Sequence, residues 1–137
     1  MADYLVPLDV AEREFEQFCE ANCIDIDQDV MDEEDLKDFI TMRRKITFAV
    51  QTGRMRLVNG DTYELDAQIG DETKTLILRE PTSAELQEMT KGNKNVNGFV
   101  AIQRVVAQMT QVNSGYLSKM KARDQKVVTA VLMLFIA

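Results

Sequence analysis

Apolar positions recur at helical spacing in the first third of the chain, alternate with polar ones in the middle, and return to helical spacing in the last third. Ala11, Phe15, Phe18 and Asn22 fall along one stripe. Asp9, with Glu12 three residues later, has capping-box spacing, so a helix is predicted over 9–22. Ile24 to Glu34 is rich in carboxylates, carries no helical period, and reads as a linker ending in a cap at Asp32. Leu36, Phe39, Ile40, Ile46, Ala49 and Val50 then predict a second helix from about Glu33 to Thr52. Its acidic start and the basic Arg43-Arg44-Lys45 past its middle suit the helix dipole, and Gly53 stops it.

Met55-Arg56-Leu57-Val58 and Thr62-Tyr63-Glu64-Leu65 alternate on either side of Asn59-Gly60, a strong hairpin signal. After Gly70-Asp71, Thr73 to Leu78 is a third short strand, giving a small antiparallel sheet that helices can cover. From Pro81 the period is helical again, and Thr82-Ser83-Ala84-Glu85 is a capping box opening a short helix through Met89. Lys91 to Asn97 breaks it. Phe99, Ile102, Val106 and Met109 mark an amphipathic helix, Leu117 and Met120 a short turn, and Asp124 to Ile136 a last helix. The predicted class is α+β: an acidic helical region over 1–53, then a three-stranded sheet with a C-terminal helical bundle over 54–137, as one compact unit.

Charge changes this picture. Residues 1–40 hold 14 acidic and 2 basic side chains, whereas residues 41–137 hold 9 and 14, within a net charge of −7. Two readings stay open: an acidic solvated arm, or an arm that folds back on a basic partner-binding body. Nucleic-acid binding is disfavoured on either. The basic clusters at Arg43, Arg44, Lys45, Arg54 and Arg56, and at Lys119, Lys121, Arg123 and Lys126, lack the interleaved aromatics of a stacking platform and read as solvated faces. The first residues have no secretory pattern and no apolar run reaches the roughly 18–20 residues of a membrane span, so a cytoplasmic protein without membrane attachment is expected. Cys19 and Cys23, four apart, read as two small buried thiols in a reducing compartment.

Candidate chemistry is sparse. With no histidine, the usual neutral-pH base, nucleophile partner and metal ligand are missing, and an enzyme is not expected. Asp25, Asp27 and Asp29 copy the start of a calcium loop, but Val30 stands where that loop needs glycine and Leu36 where it needs glutamate. Two cysteines cannot close a zinc site, and the glycines are scattered without phosphate-loop spacing. No catalytic, metal or cofactor-binding residue is therefore assigned, and no cofactor is expected.

The C-terminal end carries the sharpest expectation. Ala130-Val131-Leu132-Met133-Leu134-Phe135-Ile136 is apolar around the whole helix and must be covered on all sides. Either the protein's own elements cover it or a partner or second copy does. Val128, Val131, Leu132, Leu134, Phe135 and Ile136, with Met109 nearby, are the candidate partner-binding residues, and a homo-oligomer is conceivable.

The run Leu76-Ile77-Leu78-Arg79-Glu80-Pro81-Thr82, the following helices, and Leu117, Met120, Arg123, Asp124 and Val128 in that order resemble the tail assembly chaperones of tailed bacteriophages, over about residues 74–136. The resemblance implies a non-catalytic factor in the host cytoplasm that binds the tape measure protein, and often tail tube subunits, and keeps them soluble until the tail forms. Arg79, Glu80, Pro81, Thr82, Arg123 and Asp124 carry over, with structural roles: strand-to-helix joint, cap, and start of the last helix. The long acidic N-terminal region departs from short members of the family. A structural virion component, such as a tail tube, completion or connector subunit, is the alternative; a regulator that presents its acidic arm as a decoy is a third reading.

Overall fold

Helix α1 (Leu8–Ala21) buries Ala11, Phe15, Phe18 and Cys19, four positions on one face, and so forms as the amphipathic helix its period predicts. The computed structural model describes residues 4–89 and 98–136. The expected Asp9 cap is not made: Pro7 occupies the N-cap without a side-chain hydrogen bond, and Asp9 sits inside the first turn. At the other end the Asn22 amide donates to the Phe18 carbonyl at 2.9 Å and to the Asp61 carbonyl at 3.1 Å, tying α1 to the first hairpin.

A single 3-10 turn at Gln28–Val30 leads to α2 (Glu33–Gln51), capped by Asp32, whose carboxylate accepts from the Asp35 N–H at 2.8 Å. Phe39, Ile46, Ala49 and Val50 of the expected stripe are buried, whereas Ile40 points outward and is 53% exposed. Gly53 follows with φ +79°, the left-handed conformation that ends helices at glycine. The acidic first third is therefore neither a solvated arm nor an added layer over a finished body. Phe15 and Phe18 share one core with Tyr63 of the sheet and Leu132 near the C-terminus, while most of the carboxylates face water.

Strands β1 (Met55–Val58), β2 (Thr62–Ile69) and β3 (Glu72–Leu78) form an antiparallel sheet in that order. The predicted hairpin is present, with Asn59 at φ +57° and Gly60 at φ +78°, and Val58 pairs with Thr62 across a three-residue loop. β2 runs four residues beyond its predicted end. Its alternation persists, with Tyr63, Leu65, Ala67 and Ile69 all buried, and Leu76 and Leu78 of β3 join them on the same face. The outer face carries a polar lattice: Arg56 contacts Glu64 and Asp66, and Thr75 donates to Asp66 at 2.8 Å.

Because β1 is half as long as β2, the far part of β2 has a free edge, and the chain closes it group by group. Asp66 N–H reaches the Arg54 carbonyl at 2.8 Å, and Gln68 N–H reaches the Asp124 carboxylate at 2.9 Å. The Gln68 carbonyl accepts from Lys121 N–H at 2.9 Å, and Gly70 N–H donates to the Lys119 carbonyl at 3.1 Å. On the opposite edge the Thr110 hydroxyl accepts from Ile77 N–H at 3.1 Å. Every pairing removes a backbone group that would otherwise remain unsatisfied.

The second half is helical as expected: α3 (Ser83–Gln87), α4 (Gly98–Thr110), α5 (Ser114–Leu117) and α6 (Ala122–Ile136). The predicted break over 91–97 lies outside the described residues. Helix α6 begins two residues before Asp124, packs against α2, and also touches α4 and β3.

Candidate partner-binding surface

Most of the apolar end is core. Val128, Val131 and Leu132 are fully buried, and Met109 of α4 is 5% exposed, so these four do not form a free partner-binding face. The reason is the company α6 keeps: α2 covers one side, α4 another, and the sheet a third. Leu134, Phe135 and Ile136 are half-buried against the same core, with the Phe135 ring edge-on to Phe18 at 5.8 Å. The sequence left two coverings open, and the structure selects the protein's own.

Of the residues that carried the resemblance, Arg79, Pro81, Thr82 and Asp124 serve the architecture. Thr82 caps α3 and completes the capping box with Glu85, while the Arg79 guanidinium holds the Glu85 carboxylate through two hydrogen bonds of 2.9 and 2.8 Å. That guanidinium keeps the Glu85 carboxyl below its ordinary range, helped by the Thr82 N–H. Arg79 also donates to the Glu80 carbonyl, and Pro81 is buried beneath the joint. Arg123 is exposed. Asp124 does more than start a helix: 1% exposed, it accepts from Gln68 N–H and pairs with Arg54.

The first basic cluster is largely consumed internally. Arg43 lies over the Phe15 ring at 5.8 Å and reaches Glu12 and Glu16 at 3.4 and 3.5 Å; Arg44 lies over Phe48 and donates to Gln51 at 2.7 Å. With Arg54 on Asp124 and Arg56 on Glu64 and Asp66, four of these five cations have assigned partners; Arg44 and Lys45 enter no ion pair among the described residues. Asp25 and Asp27 accept from the N–H groups two residues on, at 2.9 and 3.0 Å, so these carboxylates shape the loop. Among the described residues no three metal-ligating side chains converge.

One open hollow lies between α2 and the end of α6. A cavity of about 530 Å³ has an apolar floor of Ile24, Met31, Phe39, Met42, Met133 and Leu134. Its rim carries Asp25, Asp35, Asp38, Thr41 and Lys45. A second hollow of about 390 Å³ between α4 and α6 shares Met133 and adds Met89, Phe99 and Ile102, with Phe99 51% exposed. Met133 lines both. Methionine suits such a surface because its unbranched, polarisable side chain repacks around different shapes.

Sequence reasoning found Leu134 of this groove but not Met31, Met42, Asp35, Asp38 or Phe39 as its other wall. A signal existed: Asp35, Asp38, Met42 and Lys45 recur at three- and four-residue spacing, one face of α2 beside the buried stripe. The thiols also divide. Cys19 is buried, its pKa pushed up to about 12 by that burial against the opposing pull of Arg43, whereas Cys23 is exposed at φ +57°. No helix among the described residues is long and apolar enough to cross a membrane. Comparison with family models, with curated proteins and with solved structures finds no match to this chain.

Proposed function

We propose that this chain is a non-catalytic assembly chaperone of a tailed bacteriophage, binding the tape measure protein, and tail tube subunits as a second client, in the host cytoplasm. The observation that carries the reading is the open, methionine-lined groove between α2 and α6, an apolar surface the fold leaves uncovered while closing the free edge of β2. A factor that holds an aggregation-prone helical client needs such a surface, and needs no catalytic group. The order of motifs from Leu76 to Val128 supports the same reading, since it resembles that family.

Coexpression tests it. The tape measure protein of the same genome is expected in the soluble fraction only when this chain accompanies it, and less so with Met42→Asp, which places a charge on the groove floor. No gain in client solubility overturns the reading, and recovery of this chain from purified particles in stoichiometric amount turns it into a structural subunit.

A further inference from the structure

The geometry points to a specific occupant for the α2–α6 groove: a partner's amphipathic helix whose apolar face is flanked by lysine or arginine. This deepens the chaperone reading and rests on it for the identity of the client. The floor fixes the apolar requirement, with Phe39 at the base and Met31, Met42 and Met133 half-exposed around it. The cavity falls within the roughly 300–1,000 Å³ typical of binding clefts, and, open between α2, the end of α6 and the loop before α2, it can take one face of a helix.

Charge then chooses among helices. Asp35 and Asp38 stand one turn apart on the rim, about 4.5 Å along the α2 axis, so cations on successive turns of a docked helix would meet them in register. Asp25 adds a third carboxylate from the loop. Neither Asp35 nor Asp38 enters an ion pair among the described residues, in a protein that pairs Arg43, Arg54, Arg56 and Arg79 internally. The segment from 25 to 38 carries eight carboxylates and one lysine, which extends the negative field beyond the rim. Lys45, about 10 Å further along α2 by the helical rise, gives the rim a positive end and therefore a preferred direction.

The test uses the full chain and two synthetic peptides of about 18 residues with the same leucine face, one flanked by lysine and arginine and one by glutamate. Fluorescence anisotropy is expected to show the basic peptide binding at least about tenfold tighter than the acidic one, with the preference shrinking near 0.5 M salt. The double variant Asp35→Lys/Asp38→Lys should lose that preference, and Met42→Asp should lose both peptides, while circular dichroism shows each variant folded. Equal binding of the two peptides, binding of neither, or an undiminished preference in the double variant overturns the assignment.

Coexpression with the tape measure protein separates this from the wider reading. If the parent and Asp35→Lys/Asp38→Lys chains solubilise the client equally, the groove assignment falls while the chaperone stands. If the basic peptide binds as described but the parent does not solubilise the client, the groove stands and the chaperone falls.

Discussion

The carboxylate of Asp124 accepts a hydrogen bond at 2.9 Å from the backbone N–H of Gln68, 56 residues earlier in the chain. The same carboxylate pairs with Arg54, so one side chain in the first turn of α6 closes the edge of β2 and neutralises the guanidinium beside it. Asp124 is 1% exposed and the Arg54 side chain 24%, which makes the pair asymmetric: water reaches the cation but not the anion.

Asp124→Ala is expected to cost about 2–4 kcal/mol in urea denaturation, because it strands the Gln68 N–H and removes a buried pair. Asp124→Asn keeps an acceptor for that N–H and should recover part of the loss. A cycle with Arg54→Ala should show a coupling of about 1 kcal/mol or more. An Asp124→Ala chain within about 0.5 kcal/mol of the parent would show that the contact contributes little.

Leu132→Ala is expected to cost about 2–5 kcal/mol, the range for deleting a fully buried leucine, whereas Ile40→Ala on the exposed face of α2 should stay within about 0.5 kcal/mol. Thermal or urea unfolding of the two variants side by side measures this. A near-neutral Leu132→Ala would return α6 to the surface.

The contrast between those two residues shows what could be read before the fold was known. Local pattern predicts the helices, the hairpin at Asn59-Gly60 and the Thr82 cap, because each depends on neighbours within a few residues. It stops β2 too early, since Asp66, Ala67 and Gln68 are poor strand formers that extend only because the sheet and α6 hold them. It also cannot choose which outward-looking apolar residue is covered: Ile40 and Leu132 look alike in sequence and differ in what packs on them. The groove was least legible, as its walls come from a loop, α2 and α6 and meet only in three dimensions.

In the native protein an uncharged thiol reagent at about pH 8 should modify Cys23 and spare Cys19, which burial shields and holds protonated. Titration is expected to give one reactive thiol in buffer and two in denaturant. Two fast thiols in buffer would mean that α1 leaves the core easily.

Acid should weaken the fold partly through Glu85. Its folded pKa is shifted down from the ordinary 4.5 by the Arg79 hydrogen bonds, so its contribution is present at neutral pH and is lost as pH falls through and below that value. Glu85→Gln is expected to lower stability at pH 7 and to flatten the stability profile between about pH 5 and 3. An unchanged profile would assign acid sensitivity elsewhere, with Asp66, held down by Arg56, the next carboxylate to change.

The closure of β2 by residues 119–124 also has a meaning in time. Strands β1 to β3 are complete by Leu78, yet the backbone groups of Gln68 and Gly70 find their partners only in chain made some 50 residues later. A nascent molecule therefore displays an open strand edge throughout synthesis of that interval, and any pause there prolongs its exposure to other unfinished chains. Slow translation between β3 and α6 is the interval in which this protein is itself most in need of protection.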